Sequence, residues 1–447
     1  VLGLWWNITP FWLLLRWCFL FFVKEKNMNN VLMNLKGTKD FINEEQTNRE
    51  QMINYLKEIF KLYGFEPMET PILNNYDLLE SKYAGGSEIL KEVYKLTDQG
   101  KRSLGLRYDL TIPFVKVIGM GKNIRLPYKR YEIGKVFRDG PVKKGRMREF
   151  TQCDVDMVGI SSIYAEIEFF KMTYDVFRKL EIDIVIKYND RRILKRIIQA
   201  SKIKESLLNN VIIILDKLEK IPLDKITEEL INLEINMNSI DLLFNYIKMD
   251  FNTLESSIGT FDAFEQMREI NNAISAMSME NVMLFTPTLA RGLDIYTSSV
   301  WEVFSLNSEI TSSIAAGGRY DNAVGGFLND SKSYPAIGMS FGLDVINEVM
   351  NIKANNVSNI KLFIIPFDNR LEAIKLLSVV RNKGINSEME MTNRKVSKSL
   401  EYANYKKIPF VVFLGDNEIN QGNLRIKNMK TGEEMITIIS ELIELIK

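Results

Sequence analysis

Over residues 47–64 the apolar positions Met52, Ile53, Leu56, Ile59, Phe60 and Tyr63 recur at three- and four-residue spacing, which predicts one amphipathic helix. Thr47 and Glu50 have the spacing of a capping box, and Gly64 is placed to end the helix. The period then changes. Short runs in PMETPIL, EVYKLTD, SLGLRYDLT, YKRYEIGKVFRDG and REFTQCDVDMVG alternate and are rich in Tyr, Val and Phe, which predicts a largely antiparallel sheet. A helix over residues 163–180 is expected to cover it. Helical spacing resumes from about 191 to 280, in an Ile-, Leu-, Lys- and Asn-rich stretch that reads as an all-helical insertion. Strand-like segments return over 282–341, around the turn-rich AAGGRYDNAVGGF.

Beyond a polar linker at 354–359 the alternation becomes regular. KLFIIPF reads as a strand, 370–382 as a helix ended by Gly384, 395–406 as a second helix, PFVVFLG as a strand and LRIKNMKTGEEMITI as a hairpin. That is a compact α/β domain. The first thirty-two residues match nothing else in the chain: they hold Trp5, Trp6, Trp12 and Trp17, interrupted by Pro10 and Arg16, with no basic region ahead of the apolar run. They read as upstream sequence outside the fold, with Met28 and Met33 as natural starts, and a membrane anchor is the competing reading. The expected organisation is therefore 1–32 outside the fold, a core over 33–353 carrying the insertion, and a separate domain over 360–447.

Composition narrows the chemistry. With Lys+Arg 58 against Asp+Glu 57 the net charge is +1, which excludes a uniformly basic nucleic-acid binder. None of the 447 residues is histidine, so Ser-His-Asp triads, HExxH zinc sites and imidazole bases are excluded. Only Cys18 and Cys153 are cysteines, which supports neither a disulfide framework nor a thiolate metal site. No protein-held metal is expected. Catalysis here has to run on carboxylates, arginines, hydroxyls and backbone.

Four polar constellations interrupt the strand pattern. RYDLT puts Asp109 and Thr111 on one face of an expected strand, suited to an ammonium group. Arg138 follows Val136 and Phe137 directly, where an unpaired guanidinium is costly and a phosphate would answer it. Gln152, Asp154 and Asp156 alternate toward one face of the returning strand. Arg291 is embedded in LARGLDIY, read as a strand start, and AGGRYD carries a glycine pair that marks a turn or a close backbone approach.

RYDLT, FRDGPVKKGRMREFTQCDVD, KYNDRRIL, LARGLDIYT and AAGGRYD occur here in the order found in histidyl-tRNA synthetases, which the chain resembles from Met33 to Lys447. The resemblance implies an α+β fold: a class II synthetase antiparallel-sheet catalytic domain with a helical insertion, plus a C-terminal α/β anticodon-binding domain. It implies activation of L-histidine with ATP and Mg2+ to histidyl-adenylate and transfer to histidine tRNA, by a cytoplasmic homodimer with no membrane partner. Pro71 falls in the segment that resembles the family's dimer-interface motif. Arg138 and Arg291 are the implied catalytic residues, on the α-phosphate. Asp109, Leu110, Thr111, Gln152, Asp156, Ile295, Tyr296 and Tyr320 form the implied histidine site. Of these, Asp109, Thr111 and Gln152 hold the ammonium, Asp156 and Tyr296 the imidazole, and Tyr320 closes the pocket. Lys143, Lys144 and Arg146, in the basic loop, are implied in tRNA binding.

Two positions depart from the pattern. Val345 stands where the family places an arginine over adenine, and Ile295 where it has a tyrosine. The rival implied by the same resemblance is the non-catalytic, histidine-binding regulatory subunit of ATP phosphoribosyltransferase. That paralogue generally lacks the C-terminal domain and often loses the catalytic arginines, so Arg138, Arg291 and residues 360–447 favour the enzyme. A ligase of this kind with no histidine codon would also stay translatable when histidyl-tRNA runs short.

Overall fold

The computed structural model describes residues 32–80, 90–121, 124–143, 145–218, 221–290, 295–328, 333–350 and 358–446. They fall into two compact units, one built on Met52–Met350 and the other on Phe41–Gln51 with the C-terminal residues. Among the described residues no helix is long and apolar enough to cross a membrane. The N-terminal stretch singled out above lies outside the described residues, apart from Leu32.

Helix α1 (Asn43–Leu62) begins one turn earlier than the sequence pattern indicates. Glu44 and Glu45 stand in its first turn, where carboxylates favour the helix dipole. Thr47 is inside the helix, and its hydroxyl accepts from Asn359 at 3.1 Å rather than capping. Met52, Leu56, Ile59 and Phe60 are buried, and Gly64 (φ 77°) ends the helix with Phe65 N–H bonded to the Phe60 carbonyl at 2.9 Å.

The first unit is organised by one sheet, built from β1 (Glu66–Pro67), β5 (Tyr128–Phe137), β6 (Glu149–Val158), β7 (Ile184–Asp190), β8 (Met283–Phe285), β9 (Ser299–Ser305), β10 (Ala315–Arg319) and β11 (Ala336–Gly342). Its strand order is β1-β5-β6-β11-β10-β9-β7-β8. Only the outer pairs β1·β5 and β7·β8 are parallel, so the antiparallel reading holds for the interior. A small sheet of β2 (Leu73–Asn75), β3 (Lys95–Thr97) and β4 (Ser103–Leu106), with the short α2 (Tyr76–Leu79), stands beside it in sequence. Helix α3 (Thr111–Gly119) and helix α4 (Tyr164–Lys179) follow. Phe169 and Phe170 of α4 flank the fully buried Trp301 at ring distances of 5.7 and 5.2 Å. Gly317 makes this possible, because a Cβ there would run into the Trp301 ring and lie 2.6 Å from the Gly338 carbonyl oxygen.

The described residues between Arg191 and Ala276 carry only helices, α5 (Arg191–Ala200), a 3-10 turn, α6 (Leu208–Leu215), α7 (Leu223–Asn232), α8 (Met237–Tyr246), α9 (Phe251–Ile258) and α10 (Asp262–Ala276), with their connections. Asp190, Asn236 and Asp250 cap α5, α8 and α9 through their side chains. The chain then re-enters the sheet and ends the unit with α11 (Asn322–Leu328) and α12 (Leu343–Met350).

In the second unit β12 (Leu362–Pro366), β13 (Ser387–Met389), β14 (Phe410–Leu414), β15 (Leu424–Asn428) and β16 (Glu434–Thr437) form a sheet in the order β13-β12-β14-β15-β16. Helices α13 (Arg370–Asn382), α14 (Val396–Tyr405), α15 (Asp416–Gln421) and α16 (Ile439–Ile446) complete it. The short β13 and α15 and the terminal α16 are additions to the pattern read from sequence.

Candidate active site

The site is laid out by strand register. On β6, Asp156, Asp154 and Gln152 pair with Arg130, Glu132 and Gly134 of β5 on one side. On the other side they pair with Gly338, Ser340 and Gly342 of β11. Directly paired residues share a sheet face, so the three strands present one polar grid. The opposite face of β6 carries Cys153, Val155 and Met157, all buried in the core.

Arg130 is fully buried. Its Nη2 lies 2.7 Å from Asp156 Oδ2 and donates to the Leu110 carbonyl at 3.1 Å, and the guanidinium sits 4.4 Å above the Phe114 ring. Burial pulls against its charge, but Asp156, Asp154 and Glu132 outweigh that and hold its pKa above the ordinary value. Glu132 is shared: Oε2 accepts from Arg130 Nη1 at 3.5 Å, while Oε1 accepts from Thr70 N–H at 2.9 Å and from Arg107 Nη1 at 2.9 Å. The Tyr320 hydroxyl donates to Asp156 Oδ1. Burial raises Asp156 above the usual carboxylate range, and Arg130 and Tyr320 limit the rise. Gly338 is required here, because a Cβ on it would overlap the Asp156 carboxylate.

Asp109 and Thr111 do not share a strand face, which corrects the sequence expectation. Thr111 opens helix α3, and Asp109 lies in the preceding turn with Oδ1 accepting from Ile112 N–H at 3.1 Å. An acceptor there satisfies one of the helix's free N–H groups. Burial pushes Asp109 up to about 6, against the pull of Ile112 N–H, Arg138 and Arg130. Leu110 is fully buried and reaches the site through its carbonyl.

Of the expected strand start at LARGLDIY, residues 291–294 lie outside the described residues, and Ile295 and Tyr296 precede β9, which starts at Ser299. Tyr296 packs where Gly318 leaves no side chain in the way. Arg291 lies outside the described residues, as does Lys144. Arg319 of AGGRYD is structural: its guanidinium grips Glu166 through two bonds of 2.7 Å.

Beside the grid a cleft of about 500 Å³ opens, with Gln152 and Ser340 on its edge. Arg138, Phe150, Arg146 and Val345 line it. Arg138 Nε donates to the Tyr108 carbonyl at 3.1 Å, and its guanidinium lies 5.1 Å over the Phe150 ring. Arg146 is ion-paired with Glu92, and its backbone exchanges hydrogen bonds with Lys143 across the loop. Asp344 accepts from Thr151 N–H at 2.7 Å. A cleft that sets apolar side chains beside Arg138, Lys143 and Arg146, with the carboxylates of Asp344 and Glu348 also on its wall, joins an acidic floor and suits a nucleotide beside an amino acid.

Sequence reasoning did not assign Arg130, Glu132, Ser340 or Phe150. The signal was present for the first two, since two opposite charges at i and i+2 in YKRYEIG break an otherwise strand-like face. Ser340 and Phe150 carried none.

This sheet, with its separate α/β unit, is the architecture of a class II aminoacyl-tRNA synthetase, an ATP-using ligase class. A sequence model described as histidyl-tRNA synthetase matches residues 37–346, and one described as anticodon binding domain matches 361–447. Histidine--tRNA ligase 1 of Bacillus anthracis is 43% identical over 422 residues, covering 92% of this chain and 99% of that protein. The chain belongs to the histidyl-tRNA synthetase family. Two solved structures share the fold. Histidyl-tRNA synthetase from Nostoc sp. PCC 7120 superposes with a TM-score of 0.82 at 24% identity, covering 93% of this chain and 98% of that one. A Bacillus halodurans protein titled ATP phosphoribosyltransferase regulatory subunit/histidyl-tRNA synthetase gives 0.73 at 18% identity, covering 86% and 98%.

Proposed function

We propose that this chain is a histidine–tRNA ligase acting in the cytoplasm as a homodimer. It joins L-histidine to ATP, releasing pyrophosphate, and passes the histidyl group from the adenylate to the terminal ribose of histidine tRNA, releasing AMP. The observation that carries the reading is the continuity of the site. Arg138 over Phe150 stands at one end, Gln152 and Ser340 at the junction, and the buried carboxylates at the other.

The first step suits a chain without histidine. The attacking carboxylate is ionised at neutral pH and needs no base. What the protein supplies is alignment and relief of charge on the α-phosphate. Arg138 takes that role from the cleft, and Arg291 is assigned the opposite side. Phe150 offers a face for adenine, and the apolar Val345 lines the same cleft. Asp156 and Tyr296 hold the imidazole, and Tyr320 fixes the Asp156 carboxylate through its hydroxyl. Lys143, Lys144 and Arg146 are assigned to the tRNA by their place in the basic loop of the motif.

Mg2+ keeps several waters and takes one or two carboxylates besides phosphate oxygens, where it neutralises phosphate charge. Asp344 and Glu348 line the cleft, and Glu348 Oε2 is buried with no hydrogen-bond partner, so these residues fit that ion.

Histidine-dependent exchange of pyrophosphate into ATP tests the reading. Exchange specific to histidine is expected. Tight histidine binding without exchange would instead point to a regulatory paralogue.

A further inference from the structure

Two acceptor atoms on the floor of the site have no partner: Asp154 Oδ1 and Gln152 Oε1, both buried. They belong to residues two apart on β6, hence on one face. Gln152 spends its Nε2 on Ser340 Oγ at 2.9 Å, and the Ser340 hydroxyl bonds the Asp154 carboxylate. What remains, once Asp154 is ionised, is a pair of neighbouring oxygens that can only accept.

The charges around them do not balance. Glu132, Asp154 and Asp156 are buried carboxylates, with Arg107 and Arg130 as the buried cations beside them. Arg107 answers Glu132 at 2.9 Å and Arg130 answers Asp156 at 2.7 Å. Asp109, in the turn before α3, adds a further negative group and has Arg138 near it. Asp154 is left without a cation of its own, at 3% exposure. A buried, unpaired carboxylate is costly, and the cost is relieved by a proton or by an arriving cation.

We infer that Asp154, together with the Gln152 carbonyl oxygen, receives the α-ammonium of the amino-acid substrate, and that in the empty pocket Asp154 holds a proton which the ammonium displaces. An ammonium carries three donors and no acceptor, which matches two adjacent acceptors with Asp109 nearby. The inference rests on histidine being the substrate, and it adds a residue that the motif resemblance did not assign. The protonated empty state agrees with the electrostatics: burial pushes Asp154 up to about 8, with Arg130 opposing and Asp156 and Asp109 reinforcing. Ser340 contributes one neutral hydroxyl, and the charges facing Asp154 from β5 are those of Arg130 and Glu132.

Calorimetric titration of the full chain with L-histidine at pH 7, in two buffers of different ionisation enthalpy, counts the protons released. The unchanged protein is expected to release close to one per site, and Asp154→Asn to release almost none. The affinity of Asp154→Asn for histidine should fall roughly 10- to 100-fold, the range of a charge-assisted hydrogen bond. Imidazolepropionate, which lacks the ammonium, is the decisive control: Asp154→Asn should bind it as well as the unchanged protein does. Thermal melting covers the folding question, since Asn stays neutral without the proton that the buried Asp154 must take up, so the Tm of the ligand-free variant should rise. Equal weakening toward histidine and imidazolepropionate, or proton release unaltered by the substitution, overturns the inference while leaving the ligase reading intact. Failure of the unchanged protein to bind histidine overturns both.

Discussion

Replacing Gly338 with alanine deletes no functional group, yet it should disable the site. The new Cβ would overlap Asp156 Oδ1 and lie 2.7 Å from its Cγ, with the Val155 carbonyl oxygen at 3.0 Å. Regaining an ordinary contact of 3.4 Å moves the carboxyl carbon by about 0.7 Å. Strand β6 cannot yield, because β5 and β11 pair with it on both sides. The carboxylate must therefore turn away from Arg130, now 2.7 Å from it, and from the Tyr320 hydroxyl. Breaking one partner of a buried ion pair costs roughly 3–5 kcal/mol. Arg130 keeps the Leu110 carbonyl, so the expected loss is near the lower end, about 3 kcal/mol. The same loss expressed at the site corresponds to roughly a hundredfold fall in kcat/KM. Urea denaturation and histidine-dependent pyrophosphate exchange measure the two effects. Gly342→Ala is the control for stability, since its Cβ would meet nothing nearer than 3.5 Å. A Gly338→Ala protein with unchanged stability and exchange within about threefold of normal would refute the geometric argument.

Other outcomes follow from particular groups and from the composition. Asp154, raised to about 8, binds its proton in the folded state at pH values where the unfolded chain has lost it, so ligand-free stability should fall as pH rises from about 4 to about 8. Asp109, at about 6, adds the same sign over a narrower window, and Asp154→Asn should flatten the profile in melts taken across that range. Glu390 in the second unit is drawn down to about 2, because Thr392, Ser399 and Arg394 outweigh its burial; its contribution has the opposite sign and is lost as pH falls from 4.5 toward 2. Arg138→Ala should lower exchange roughly 10²- to 10³-fold, as loss of a charge-stabilising donor does, while calorimetry finds histidine affinity little changed. Ribosome profiling during histidine starvation should show no stalling within this message at histidine codons, since the 447 residues require none; stalling at the rate of ordinary messages would sink that idea.

The elements with long, regular periods were legible in the sequence. The helix at Tyr164–Lys179, the helical stretch from Arg191 and the alternation of the second unit each carry a period that tertiary contacts reinforce. Asp109 and Thr111 misled because a polar residue two before a threonine fits a strand face and a helix start equally well. Arg107, immediately after β4, looked like strand continuation, whereas its guanidinium is spent on the Thr70 and Lys135 carbonyls. Individual site residues were visible as polar breaks, but the grid was not. It depends on the register of β6 between β5 and β11, which brings together residues nearly two hundred positions apart, such as Gln152 and Ser340.

The grid also explains how a pocket without histidine can be selective for it. Arg130 and Glu132 on β5 are held by its ten-residue pairing with β6, and Asp154 and Asp156 on β6 by strands on both flanks, which fixes where the charges stand. They cannot drift toward water when the pocket holds the wrong occupant. An amino acid lacking the matching donors leaves buried acceptors unpaired, and discrimination by such polar sites reaches about 10⁴ or more. The same rigidity makes the empty site a local cost to the fold, offset by the aromatic packing around Trp301 on the other side of the sheet. Neutralising Asp154, the floor carboxylate without a cation of its own, should therefore separate the two properties, raising stability while lowering selectivity. A core substitution such as Trp301→Phe should lower stability alone, because no acceptor in the pocket depends on that ring.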